Sequence, residues 1–348
     1  MTVNVSKPVV NVREKLAELD KPTGIAGEAM LRAETPQEQF NLIGAGRRNI
    51  FINGGFTVSQ RGDYTSATAT STNAYGLDRW KNYLLGVTAT YQNTTVTIEG
   101  VTRKALKMTA TSSNTGFFGP VQHVELSAFR AGVPLTMSGY VRTNHPSVYF
   151  RHDYVGGVTG IQAPDPITPD GNWHYVTWTV DTTGTSVAPI FQVLTYNYGN
   201  VTITSGDYIE IADMQLEVGK VATPFEHRSY GEELALCQRY YYKHAGFGST
   251  NIVGTAIAYD SDSIFIPIFF PVTMRGGPTL IQETGSSYYT FYSNGTNTNF
   301  TGFDSFQETT VNGTNLFNNG EPTGMTSGSV GWIRTLTSSA LIAFDAEL

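Results

Sequence analysis

Apolar and polar residues alternate in short runs along most of the chain after residue 49, and turn residues bound each run. The runs from Thr136 to Arg142 and from Trp173 to Val180 show the alternation most clearly. Shorter runs repeat it, such as Leu106 to Ala110 and Ile190 to Thr195. A period of two places every second side chain on one face of a strand, and many short strands with regular turns are typical of a sandwich. The pattern predicts a mainly β fold.

One segment, from Tyr230 to Lys243, follows helical spacing instead. Ser229 is a good N-cap, and Glu232 three residues later completes a capping box. This helix is expected to link two β domains. Three side chains share one of its faces and are expected to be buried at that junction: Leu234, Cys237 and Tyr241.

Residues 1–48 precede the β region and carry two short amphipathic helical patterns. Their apolar side chains are Val12, Leu16 and Leu19 in the first pattern, and Phe40 and Ile43 in the second. Two such helices cannot bury a core of their own. We expect them to form an attachment arm on another chain; the alternative is that they fold against the domain that follows.

Residues 245–348 return to β-like alternation, with recurrent aromatic residues in a background of Asn, Gly, Ser and Thr. The run from Ile264 to Val272 is broken by Pro267 and Pro271, which fit edge or bulged strands. There is no internal repeat of fixed period, which disfavours a solenoid or propeller. The expected organisation is an arm at 1–48, a sandwich at 49–228, and the linking helix with a smaller β domain at 229–348.

Composition narrows the function classes. Charged residues make up 15% of the 348 residues and the net charge is −7, which argues against broad nucleic-acid binding. No apolar run approaches the length of a membrane span, so none is expected. Cys237 is the single cysteine, which excludes an internal disulfide. A low charge and many apolar strands favour self-association, because a lone domain hides such a surface poorly.

Several motifs occur in a fixed order. Asn53-Gly-Gly-Phe56, Gln60-Arg-Gly62 and Asp78-Arg-Trp80 open the β region. Further along are Gln215-Leu-Glu-Val-Gly219, Ala222-Thr-Pro-Phe-Glu-His-Arg228, Glu233-Leu-Ala-Leu-Cys-Gln-Arg-Tyr-Tyr241, Phe270-Pro-Val-Thr-Met-Arg-Gly-Gly-Pro278 and Ile342-Ala-Phe-Asp-Ala-Glu-Leu348. Together they resemble a family of virion structural proteins of tailed phages and prophages.

The resemblance implies a jelly-roll sandwich similar to carbohydrate-binding modules, and a location in the virion. It implies a non-enzymatic tail fibre or appendage that engages the host surface, with a capsid decoration or head-fibre protein as the alternative. A carbohydrate-active depolymerase is a third, less favoured reading, because tailspike enzymes usually carry a long repeated β-helix. Expected partners are other virion proteins, further copies in a homotrimer, and a host surface glycan.

The sequence contains no phosphate-binding loop, nucleophile elbow or zinc-protease motif, and no catalytic residue or cofactor is expected. Arg151-His-Asp153 and His145-Pro146 lack a recognised metal spacing. Asp78-Arg79-Trp80 predicts a buried Asp–Arg pair beside a core Trp. One acidic series could provide oxygen ligands for a structural calcium ion, as in sandwich modules of this type, or could be solvated edge charges: Asp207, Glu210, Asp213 and Glu217.

Two aromatic residues are the candidates for sugar contact. Alternation places Trp173 and Tyr175 on one face of a strand, and Val176 and Trp178 on the other. If the second pair points inward, the first pair is available to stack on sugar rings. The alternative is that these aromatic side chains serve only the core and its cross-strand pairs.

Overall fold

The computed structural model describes residues 48–128, 132–154, 160–182, 189–246 and 250–348. The residues predicted to form the attachment arm, Val12, Leu16, Leu19, Phe40 and Ile43, lie outside these ranges. Within them the chain forms 22 strands, one 3₁₀ turn at Leu126–Ala128 and one α-helix. The predicted mainly β fold, a jelly-roll sandwich followed by a further β unit, is confirmed.

Twelve strands build the sandwich. They are β1 Thr68–Thr70, β2 Lys81–Leu85, β3 Ala89–Ile98, β4 Val101–Ala110, β5 Asn114–His123, β6 Pro134–Thr143, β7 Val148–Tyr154, β8 Ile161–Gln162, β9 His174–Asp181, β10 Pro189–Thr195, β11 Val201–Ile203 and β12 Tyr208–Val218.

The two sheets of the sandwich are antiparallel. The first has the order β1-β3-β4-β12-β6-β9, and the second has the order β11-β5-β10-β7-β8 with β2 also paired to β5. Alternate side chains from both sheets meet in one core around Phe51, Trp80 and Phe191. Because β12 pairs with β4 on one side and β6 on the other, residues distant in sequence become neighbours on the outer face of the first sheet.

Ten strands build the second β unit. They are β13 Tyr241–Gly246, β14 Ile252–Ala258, β15 Ser263–Phe269, β16 Thr279–Glu283, β17 Tyr289–Ser293, β18 Thr296–Phe300, β19 Ser305–Gln307, β20 Gly313–Asn319, β21 Val330–Thr335 and β22 Leu341–Asp345. A seven-stranded sheet, β18-β17-β21-β14-β15-β20-β19, packs against a three-stranded sheet, β13-β22-β16. Their shared core includes Ile266, Phe291 and Phe344.

Pro267 lies inside the seven-stranded sheet, in β15. This strand pairs with β20 along its whole length, but β14 pairs with it only at Ile264 and Phe265. The half of β15 that holds Pro267 therefore has no paired strand on the β14 side. Proline is tolerated there because its missing N–H removes no hydrogen bond between strands.

The helix, α1, spans Tyr230–Gln238 and begins with the predicted capping box of Ser229 and Glu232. It is shorter than predicted. Tyr241 does not lie on it, because the chain turns at Arg239 and enters β13, where Tyr241 pairs with Asp345. The backbone hydrogen bonds that β22 offers to this segment replace those of a longer helix.

The face of α1 also differs from the prediction. Cys237 is fully buried, but Leu234 is only half-buried, and the second buried side chain of the helix is Glu233. Glu233 is buried because its carboxylate accepts a hydrogen bond from the backbone N–H of Asn53, at 2.5 Å. Burial raises the pKa of the Cys237 thiol well above its usual value.

Candidate functional site

Aromatic side chains gather on the outer face of the first sheet, where β6 and β9 run side by side. Tyr140 and Tyr175 are register partners, and their rings meet edge to face with centroids 5.2 Å apart. The guanidinium of Arg142 lies 4.9 Å from the centre of the Trp173 ring. We call these four residues the outer aromatic face.

A buried carboxylate holds one side of this face. Glu210, on β12, is fully buried and accepts hydrogen bonds from Thr94 Oγ1 at 2.5 Å and from Arg142 Nε at 2.6 Å. These charge-assisted bonds fix the Arg142 guanidinium beside Trp173. Arg142 and Trp173 are therefore held in position without a ligand.

A bulge in β12 supports the other side. The pairing of β12 with β6 shifts register between Ala212 and Gln215, and Asp213 within the bulge has a φ of 48°. A bulge re-aims side chains, and here the Asp213 carboxylate meets Arg103 Nε at 2.6 Å. The guanidinium of Arg103 lies 5.0 Å from the centre of the Tyr140 ring.

The bulge also explains the Asn53-Gly54 motif. Met214 N–H, inside the bulge, donates to the carbonyl of Gly54 at 2.9 Å. A Cβ at position 54 would lie 2.0 Å from the Met214 carbonyl oxygen. Only glycine permits this approach, so the motif sets the geometry of the strand that carries Glu210 and Asp213.

An open depression of about 270 Å³ adjoins this face. Its walls include Arg103 and Asp213 from the sheet, together with Phe225 and His227 from the segment before α1. The Phe225 and His227 rings meet edge to face, with centroids 5.0 Å apart. The depression adjoins the outer aromatic face through Arg103, which lines the depression and also lies against the Tyr140 ring.

The candidate residues Trp173 and Tyr175 both lie on this outer side. Val176 and Trp178 pack against the core. This is the condition under which the alternation makes Trp173 and Tyr175 available on the outer side. Tyr175 is 48% exposed, whereas Trp173 is partly buried against Ala105 and Ala212. Sequence reasoning missed Tyr140, Arg142 and Arg103, since only the strand order brings them to the same face. Aromatic rings beside fixed charged donors and acceptors suit a polar ligand with an apolar face, such as a sugar ring.

The acidic series does not form one site. Glu210 pairs with Arg142 and Asp213 with Arg103, while Glu217 accepts from Thr223 N–H at 2.8 Å and Asp207 from Thr204 N–H at 2.7 Å. Glu210, Asp213 and Glu217 are not solvated edge charges either, because they are buried, whereas Asp207 is partly exposed. Among the described residues, no group of three or more His, Cys, Asp or Glu side chains could hold a metal ion.

His152 and His145, the histidines of the Arg151-His-Asp153 and His145-Pro146 motifs, take part in packing and hydrogen bonds within the sandwich. His152 is fully buried, and its ring packs on Phe191 with centroids 4.7 Å apart. Burial lowers the pKa of His152 to about 4. His145 accepts from Ser147 N–H at 3.1 Å, and its other ring nitrogen donates to the Thr202 carbonyl at 3.0 Å.

The Asp78-Arg79-Trp80 motif is buried, but the predicted Asp78–Arg79 pair is wrong. Asp78 accepts from Gln60 Nε2 at 2.6 Å and lies 3.5 Å from Arg61 Nη1. Arg79, in a turn with a φ of 70°, pairs with Glu347 instead. The turn therefore sends the two side chains to different partners. Burial raises the pKa of Asp78, and the Arg61 charge opposes that shift.

These residues belong to a polar cluster between the sandwich and the second β unit, which we call the joint. Arg79 also donates to the His123 carbonyl at 2.7 Å, and its guanidinium lies 3.5 Å from the centre of the Tyr240 ring. Arg61 lies 3.7 Å from the centre of the Tyr241 ring. The joint consists of Gln60, Arg61, Asp78, Arg79, Tyr240, Tyr241, Asp345 and Glu347.

A second polar cluster ties the start of the β region to the segment before α1. Asn49 N–H donates to the Glu226 carboxylate at 2.6 Å. Arg228 donates to the Asn49 carbonyl and to the Phe51 carbonyl, the latter at 3.1 Å, and pairs with Glu233. The motif residues thus make contacts within the protein and hold its parts together.

No protein-family model matches the chain, and no curated protein matches it in sequence. Among solved structures it is similar to the enzymatically active domain of bacteriophage CBA120 tailspike protein 4, with 10% identity over 49% of this chain and 21% of that chain, at a TM-score of 0.33.

It is also similar to TmCBM61 in complex with β-1,4-galactotriose, with 16% identity over 49% of this chain and 99% of that chain, at a TM-score of 0.28. The CBM22-1–CBM22-2 tandem domain of Paenibacillus barcinonensis Xyn10C matches 83% of this chain and 98% of its own at 13% identity, with a TM-score of 0.28. Identities this low concern the fold and not the function. The described part of the chain has no helix long and apolar enough to cross a membrane.

Proposed function

We propose that the chain is a non-enzymatic structural protein of a phage virion, and that it contributes to host attachment as part of a tail fibre or appendage. The proposal rests on the polar cluster that we call the joint. Its residues belong to the same motifs on which the resemblance to virion proteins rests, and they form one buried network between two β units. Removing one member of a buried pair is costly, so the network favours a fixed arrangement that can bear load.

A capsid decoration or head-fibre protein is the second candidate within the virion, because the same joint would serve it equally. Copy number separates the two. A tail or vertex appendage is present in tens of copies per particle, and a shell decoration in hundreds.

Quantitative mass spectrometry of purified particles tests the proposal. We expect the chain among the particle proteins at a copy number in the range of an appendage. A chain truncated to residues 49–348 should fold and yet fail to join particles, if residues 1–48 attach it. Absence of the full chain from particles would refute the virion role, and normal incorporation of the truncated chain would refute the attachment arm.

Glycan binding by the outer aromatic face is a second proposed function. The observation that favours it is the exposed Tyr175 ring, which stands beside Trp173 and the fixed Arg142 guanidinium. Aromatic rings provide apolar contact to a sugar ring, and the charged groups provide hydrogen bonds to its hydroxyls. Host attachment would then use this face.

A glycan array, followed by calorimetry on any glycan that binds, tests this second function. Tyr175→Ala should weaken binding about tenfold, which corresponds to ~1.4 kcal/mol. Tyr198→Ala is the matched control, because Tyr198 is another exposed tyrosine of the sandwich, 71% exposed. Equal affinity for the two variants would exclude the outer aromatic face as the binding site.

A further inference from the structure

The outer face of the seven-stranded sheet is apolar. Along β14, β15 and β21 the burial alternates, so that one set of side chains enters the core and the other points away from it. The outward set is also mainly apolar, although it includes Thr255 and Arg334, and much of it is exposed to solvent. We call it the apolar face; it comprises Ile252, Ile257, Tyr259, Phe265, Phe269, Tyr292, Phe317, Val330 and Trp332.

These side chains form one patch. Register pairing places Val330 opposite Ile257, Ile257 opposite Phe265, and Phe265 opposite Phe317, a row across four strands. The Phe265 and Phe317 rings lie 4.6 Å apart, and Tyr292 is paired with Trp332. A contiguous apolar patch of this kind differs from the scattered exposed residues that monomers tolerate.

The area of the patch is large. Six of its side chains expose between 51% and 81% of their surface: Phe269, Ile252, Tyr259, Val330, Trp332 and Ile257. Since a large aromatic side chain offers about 150–250 Å², these six expose on the order of 700 Å². A stable protein interface buries about 800 Å² on each partner.

Few charged residues adjoin the patch; one of them is Glu308, which lies beside Phe269 at its edge. The four central strands β14, β15, β20 and β21, all of them described, contain one charged residue, Arg334 at its margin. Arg334 already donates to Asn297 at 2.8 Å. Depletion of charge and a high apolar fraction are typical of interfaces between permanently associated identical subunits, whereas transient partners meet through more polar surfaces.

We propose that the apolar face is the surface through which copies of this chain associate in a closed assembly. Closure follows from the need to cover the same patch on every copy, since an open arrangement would leave it exposed at the ends. The inference is independent of the virion role, because it concerns the purified chain in solution. The number of copies, three by resemblance, stays a prediction.

The test is sedimentation velocity of the full chain at micromolar concentration. The wild type should sediment as a multiple of its 37.9 kDa mass. The double variant Ile257→Lys/Val330→Glu should be monomeric, because it places two charges at the centre of the patch. Since residues 257 and 330 are directly opposite, the new charges support the sheet as a cross-strand pair. Ile281→Lys is the matched control, as Ile281 is exposed on the other sheet of the same unit.

A second variant, Phe269→Ala/Trp332→Ala, removes apolar area without adding charge. It should raise the dissociation constant at least tenfold and keeps the test informative if the charged variant fails to fold. A monomeric wild type would overturn the proposal. So would a wild-type assembly that both double variants leave unchanged, because another surface would then join the copies. A chain that associates only after deletion of residues 1–48 would show that its own first segment covers the face, which equally overturns it.

Discussion

The Arg79–Glu347 pair gives the sharpest prediction of the structure. Both side chains are almost completely buried, with 2% and 5% of their surface exposed. Glu347→Gln removes the negative charge, keeps the size of the side chain, and leaves the Arg79 cation inside the joint. Breaking a buried ion pair on one side costs about 3–5 kcal/mol.

The cost should fall near the lower limit, about 3 kcal/mol. After the change, Arg79 still donates to the His123 carbonyl and still stacks on Tyr240. Removing the cation as well, in Arg79→Met/Glu347→Gln, should cost less than the sum of the single changes, because no unpaired Arg79 charge remains. Arg61, which also lies 3.4 Å from Glu347, keeps Asp78 and Asp345 as partners. We expect a coupling energy of about 2 kcal/mol in the double-mutant cycle.

Urea unfolding followed by tyrosine and tryptophan fluorescence measures these energies. Glu283→Gln is the control, since it removes the same charge from an exposed position of the second β unit. It should stay within about 0.5 kcal/mol of the wild type. In Glu347→Gln, the second β unit should unfold at lower urea than the sandwich. A Glu347→Gln protein as stable as the control would refute the view that the pair holds the joint closed.

Three further outcomes are expected. Because burial raises its pKa and excludes reagent, Cys237 should resist thiol labelling in the folded protein and react once urea unfolds it. Ser229→Ala should cost about 1 kcal/mol in urea unfolding, since only the helix cap is lost. The pKa of His152 is about 4 in the folded state, so between pH 6.5 and 4 the unfolded chain binds a proton on this side chain that the folded chain does not. Stability should therefore fall by about 2–3 kcal/mol between pH 6.5 and 4, and His152→Phe should flatten this decline in thermal unfolding.

Local patterns in the sequence predicted the local structure well. Alternation of apolar and polar residues predicted the strands and the mainly β fold, and the Ser229–Glu232 spacing predicted where α1 begins. The end of α1 was predicted wrongly, because helical spacing continues to Tyr241 in the sequence. What ends the helix is the pairing of Tyr241 with Asp345, a contact with a strand about 100 positions further on.

Contacts across long distances in sequence explain the other differences. Asp78 and Arg79 are neighbours in the chain, but their partners are Arg61 on one side and Glu347 on the other. For the candidate site, alternation could place Trp173 and Tyr175 on an outer face. It could not show that Tyr140 lies beside Tyr175, because pattern alone does not determine the order of strands in a sheet.

The joint has a consequence for the order of events during synthesis. Arg79 and Glu347 are separated by 268 positions. At a translation rate of about 5–20 residues per second, the ribosome needs roughly 10–50 s to make the interval between them. The sandwich can complete its core within that time, with the Arg79 guanidinium still hydrated. The second β unit then closes the joint in a late step, so a nascent chain stalled before residue 347 should hold a folded sandwich in which the Arg79 guanidinium is hydrated and has not yet met its counterion.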